Sequence, residues 1–75
     1  MTAKDKLLEK MKERPHGIRF DEAKRVLENM GYTLVRSKGS HRHFRNAQGD
    51  VITIRERNPL MAAYVKDILE RIGRH

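Results

Sequence analysis

The chain has 75 residues, no cysteine and a formal net charge of +7. A chain this short makes one domain and buries only about 60–65% of its unfolded surface, which disfavours a deep enclosed pocket and puts any site on the surface. Without thiols it has no disulfide framework, no thiolate zinc site and no cysteine nucleophile, and the excess of Lys and Arg points to a polyanionic partner, either nucleic acid or an acidic protein.

A well-solvated basic surface is the plainer reading of the same charge. No apolar run approaches the ~20 residues that span a bilayer, and Met1-Thr2-Ala3-Lys4-Asp5 lacks the apolar core of a signal peptide. A soluble, cytoplasmic protein with no membrane partner is expected.

In chain order, Thr2 with Asp5 three residues on resembles a capping box. Leu7, Leu8 and Met11 then form a short apolar stripe before Pro15 stops the first helix, and Pro15-His16-Gly17 reads as a turn. Asp21 is the expected cap of a second helix, with Phe20 stapling it to the core. Ala23, Val26, Leu27 and Met30 share one face of that helix, and Gly31 stands where a left-handed C-terminal residue belongs.

Beyond Gly31 the period changes to two. Tyr32 to Ser37 and Ser40 to Asn46 read as strands, and Ala47-Gln48-Gly49-Asp50 as the turn into a third strand, Val51 to Arg55. Short links favour antiparallel hairpins. Asn58-Pro59 is the expected start of a last helix, along which Met61, Tyr64, Val65, Ile68, Leu69 and Ile72 recur at helical spacing until Gly73. The sum is an α+β, two-layer α-α-β-β-β-α domain: a three-stranded antiparallel sheet with helices on one face.

The stretch Gly39-Ser40-His41-Arg42-His43-Phe44-Arg45 stands out. From Arg36 to Arg57 six basic residues (Arg36, Lys38, Arg42, Arg45, Arg55, Arg57) face only Asp50 and Glu56, a local +4. Side chains alternate along a strand, so if Phe44 enters the core, His43 and Arg45 lie on the open face and His41 joins them. Arg42 then points towards the core or off the strand end.

Three chemistries suit the histidines. Metal binding through His41 and His43 lacks further ligands and is opposed by the surrounding arginines. RNA cleavage uses an imidazole, which titrates near ~6.5, to take the proton of a ribose 2′-OH or to protonate the leaving 5′-oxygen, with Arg or Lys stabilising the growing charge. Simple phosphate contact by a basic strand face needs no catalysis, and chemistry alone favours it. Phe44 and Tyr64 sit at core spacing, Met30 and Met61 read as core fillers, and His16 and His75 have no supporting neighbours. Lys4, Lys6, Lys10, Lys12 and Arg14 read as a solvated helix face.

The segments Gly31-Tyr32, Arg36-Ser37-Lys38-Gly39-Ser40-His41, Phe44 and Tyr64-Val65-Lys66-Asp67-Ile68-Leu69, in this order, resemble the HicA family of mRNA interferase toxins. The resemblance covers roughly Phe20 to Gly73 of the 75-residue domain, with residues 1–15 similar to an N-terminal helical extension. It implies a double-stranded-RNA-binding-domain-like fold, ribosome-independent cleavage of mRNA, which the imidazole chemistry above does without metal or cofactor, inhibition of translation, and neutralisation by a HicB-type antitoxin that covers the catalytic face. It also implies that His41 is the catalytic residue, with Gly39 and Ser40 shaping the turn. Where many relatives have another histidine after the third strand, this chain has Arg55-Glu56-Arg57-Asn58-Pro59.

The expected site is therefore His41 as general base or acid, supported by Ser40 and with His43 as candidate second acid. Arg36, Lys38, Gly39, Arg42, Arg45 and Arg55 are the expected RNA contacts. The alternative is a noncatalytic RNA-binding module, in which the same face holds phosphates and 2′-hydroxyls without cutting.

Overall fold

The computed structural model describes residues 3–72, with side chains from Lys6 onward. The cap expected from Thr2 and the Asp5 side chain, together with Gly73 and His75, lies outside what is described. Helix α1 (Ala3–Glu13) buries Met11 completely, and Leu7 and Leu8 pack against the same core. It ends just before Arg14-Pro15, because proline pushes the residue preceding it out of the helical region.

Helix α2 (Phe20–Asn29) starts two residues earlier than its sequence suggests. The cap is Arg19, in extended conformation, and not Asp21, which lies in the first turn where its charge suits the positive end of the helix. Two acceptors satisfy the first amides. Glu22 accepts the Arg19 N–H at 3.1 Å, and Asn58, far along the chain, accepts the Phe20 N–H at 2.9 Å. Asn58-Pro59 therefore does not open the last helix; it helps close the start of α2, and Leu60 N–H bonds Ile18 O beside it at 2.6 Å.

The other end of α2 matches expectation. Gly31 takes φ +93°, the Gly31 N–H reaches Glu28 O and the Tyr32 N–H reaches Leu27 O, the paired bonds of a Schellman ending. Tyr32 is thereby turned inward before the sheet begins and is buried. Its hydroxyl donates to Asp50, which also pairs with Arg71; Asp67 holds the other side of that guanidinium. Burial, reinforced by the hydrogen bond to Asp50, raises the Tyr32 pKa.

Strands β1 (Thr33–Lys38), β2 (His41–Arg45) and β3 (Val51–Arg55) form an antiparallel sheet in the order β1-β2-β3. Asn46, at the expected end of β2, marks the β2–β3 turn: its carboxamide oxygen accepts the Asp50 N–H at 2.8 Å. Helix α3 (Ala62–Ile72) follows. Phe44, Ile52 and Ile54 from the sheet are buried with Phe20, Ala23, Val26 and Leu27 of α2 and Val65 and Ile68 of α3. The rings of Phe20 and Phe44 meet at 6.4 Å, tilted by 46°. Tyr64 and Met30 pack at the margin of this core, whereas Met61, just before α3, is 43% exposed and fills no gap. No described helix is long and apolar enough to cross a membrane.

Two predictions follow from the start of α2. Replacing Asn58 by Ala strands the Phe20 amide and is expected to cost about 1 kcal/mol, as a lost helix cap does, read from denaturant unfolding. Burial pushes the Glu22 carboxyl up, but the Lys10 ammonium at 2.7 Å and the Arg19 N–H outweigh it and leave its pKa lowered. A lowered folded pKa stabilises the fold above the unfolded value and loses that contribution as pH falls through the folded one. The stability gap between the parent and Glu22→Gln is thus expected to be constant above about pH 4.5 and to shrink below it, measured by unfolding at stepped pH.

Candidate nucleic-acid interface

Phe44 sets the phase of β2. With Phe44 fully buried, alternation sends Arg45, His43 and His41 to the opposite, uncovered face. The ladder then fills three rows across that face. Lys38, His41 and Arg55 make one; Arg36, His43 and Thr53 the next; Thr33, Arg45 and Val51 the third. None of these nine positions is acidic, and among the described residues no carboxylate pairs with Arg36, Lys38, Arg45 or Arg55. Cross-strand neighbours of this kind stand about 4.5–5.5 Å apart at Cβ, and successive rows about 6.6–6.8 Å apart along the strand.

Arg36 and Lys38 reach this face because β1 is irregular. Leu34 pairs with Phe44 on the helix side, but the next partner of β2 is Arg36 opposite His43, so Val35 is an extra, bulged residue that resets the alternation. Regular alternation from Leu34 would have sent both cations to the helix side. No feature of the sequence marks this bulge.

The turn that carries His41 is a two-residue hairpin loop, Gly39-Ser40, between the paired Lys38 and His41. Gly39 has φ +57° and no non-glycine residue among the described residues has positive φ, the distribution of a type II′ turn with glycine at its first central position. His41 itself is exposed and its ring has no hydrogen-bonding partner among the described residues. His43 is half-buried, with Nδ1 2.8 Å from the Thr53 hydroxyl, so Nε2 is the nitrogen it offers outward. Thr53 was legible in the register: two residues back from Arg45 and two forward from Val51 face each other across the turn.

Arg42 does not join the face. It shares the side of Phe44 and of its own partner Ile54, and its guanidinium bonds Gly39 O at 2.6 Å, His41 O at 3.2 Å and the Glu56 carboxylate at 3.3 Å. The Ser40 hydroxyl forms no hydrogen bond among the described residues, while the Ser40 carbonyl accepts the Glu56 N–H at 2.7 Å. Sequence reasoning gave Glu56 no part in the site. Among the described residues no three His, Asp or Glu side chains come together as a metal site.

The arrangement is an uncovered strip of two imidazoles and four cations that pair with no carboxylate among the described residues. The family of HicA toxins of bacterial toxin-antitoxin systems matches residues 20–73, nearly three quarters of the chain. The chain belongs to the HicA toxin family. It is accordingly a toxin with an antitoxin partner, and the matched region holds α2, the whole sheet and α3 and leaves α1 outside. No curated protein and no solved structure matches the chain.

A Cβ added at Gly39 meets nothing within 4 Å, so any penalty there is one of backbone conformation alone. Gly39→Ala is expected to cost about 1–2 kcal/mol, the price of a left-handed L-residue, measured as a shift in the denaturant midpoint at unchanged slope.

Proposed function

We propose that this HicA-family toxin is a metal-independent endoribonuclease that cleaves mRNA in the cytoplasm and so arrests translation, with His41 at the point of cleavage. The observation that carries the reading is the placement of His41 and His43 among Arg36, Lys38, Arg45 and Arg55 on one face that no helix covers. A shallow strip suits a polymer, since the substrate lies across it and need not enter a pocket.

In the reaction one imidazole takes the proton from a ribose 2′-OH, O2′ bonds to the adjacent phosphorus, and the bond from phosphorus to the 5′-oxygen breaks. A proton delivered to that oxygen completes the step, which yields a 2′,3′-cyclic phosphate and a 5′-hydroxyl end. His41, on the rim and unencumbered, serves as base or acid. His43, one row further, is oriented by Thr53 to present Nε2 as the second group. Lys38 and Arg55 flank His41, and Arg36 flanks His43, where they oppose the charge that develops on phosphorus. Ser40 and Gly39 shape the turn that holds His41. A HicB-type antitoxin neutralises the toxin by covering this strip.

The test is cleavage of a long single-stranded mRNA by the purified protein in EDTA, with the new 3′ ends examined for cyclic phosphate. His41→Ala is expected to lower the rate by at least about 10²-fold, the usual worth of a general acid or base, with the thermal midpoint and RNA affinity near the parent's. Equal cleavage by parent and variant would remove His41 from the reaction. RNA binding without new ends from either protein would make the chain a noncatalytic RNA-binding module.

A further inference from the structure

We infer that Arg42 is a positioning residue: its guanidinium, held by Glu56, clamps the Gly39-Ser40-His41 turn from beneath and fixes the backbone that carries the His41 imidazole. The inference rests on the ribonuclease reading for what the positioning achieves, but the clamp itself is independent of it.

All three carbonyls of the Gly39-Ser40-His41 element are engaged. Arg42 Nη1 donates to Gly39 O at 2.6 Å and to His41 O at 3.2 Å, and the Glu56 N–H donates to Ser40 O at 2.7 Å. The carboxylate of Glu56 accepts from Arg42 Nη2 at 3.3 Å, so one residue closes the turn with its main chain and holds the clamp with its side chain. The Arg42 side chain is only 19% exposed, against 45% for Glu56. His41 contrasts with this, since its ring has no partner among the described residues. Its position is inherited from the backbone, and the backbone of a two-residue loop at the end of a sheet is held by these bonds.

Arg42 differs in kind from the four cations on the other face. Its charge is paired, both of its terminal nitrogens are engaged and it points away from the strip on which a phosphate would lie. Local mobility in a catalytic turn is costly, because misplacing a reacting group by about 1 Å can lower a rate on the order of 10²-fold.

The test compares Arg42→Gln, Glu56→Ala and Arg45→Gln in the full chain. A phosphate contact contributes about 0.7–0.9 to the slope of log affinity against log salt on RNA. Arg45→Gln is expected to lose that contribution, while Arg42→Gln and Glu56→Ala keep the parent's slope. In Arg42→Gln the Glu56 amide is expected to exchange its hydrogen faster and the His41 ring resonances to shift, with those of His43 unmoved. Cleavage should fall through kcat, on the order of 10²-fold, with KM retained.

Glu56→Ala leaves the guanidinium in place and is expected to move the same signals in the same direction but less, which separates loss of the clamp from loss of the fold. A salt slope reduced in Arg42→Gln as in Arg45→Gln would make Arg42 a phosphate contact and overturn the inference. Unchanged exchange at Glu56 and unchanged His41 resonances would overturn it equally. Should the parent fail to cleave RNA, the ribonuclease reading falls, while the exchange and resonance data still decide the clamp.

Discussion

The burial of Phe44 in the central strand is the constraint on which the rest of the structure depends. Side chains in a strand alternate strictly, so a slip of one residue in β2 would expose Phe44 and turn His43 and Arg45 into the core. Fully burying a Phe side chain contributes about 1.5–3 kcal/mol, and an unpaired charge in its place costs several. Both terms select the same phase, and contact with Phe20 of α2 locks it. The exposure of the imidazoles follows from where the core is.

β1 shows how a sheet edge can serve this arrangement. All six of its residues are exposed, including Leu34 at 42% and Val35 at 57%. An edge strand with free amides invites pairing with other chains, and bulges and basic side chains are common defences. The bulge at Val35 does both jobs, since it disrupts the regular edge and rotates Arg36 and Lys38 onto the face of the histidines. Each of the three rows on that face therefore carries at least one cation, drawn from all three strands.

Much of this was legible in the sequence because the signals were local. The third strand, Val51 to Arg55, combines β-branched residues with a turn just before it, and it stands where the pattern puts it. Gly31 ends α2 because only a residue without Cβ takes that conformation cheaply. The orientation of His41, His43 and Arg45 needed only alternation and one buried aromatic. The features that escaped are long-range. Asn58 before a proline has the local look of a cap for the following helix, yet it bonds Phe20, thirty-eight residues away. The same holds for Tyr32, which reads as the first residue of a strand until its hydroxyl is seen to meet Asp50. The bulge at Val35 is set by the fit of β1 to β2, which neither strand encodes alone.

The basic residues consequently divide into two populations that composition cannot separate. Lys10, Arg42 and Arg71 have carboxylate partners and act as struts between elements. Arg36, Lys38, Arg45 and Arg55 have none among the described residues and leave a positive field on the uncovered face. The division runs through a single five-residue strand, in which His41, His43 and Arg45 face outward while Arg42 and Phe44 face inward. Arginine suits the inward position better than lysine. Its planar fork presents five donors and can bond two carbonyls and a carboxylate at once, whereas an ammonium is a compact point charge on a flexible stem. The strand that displays the two imidazoles thus also carries, on its other side, a guanidinium bonded to the carbonyls of Gly39 and His41.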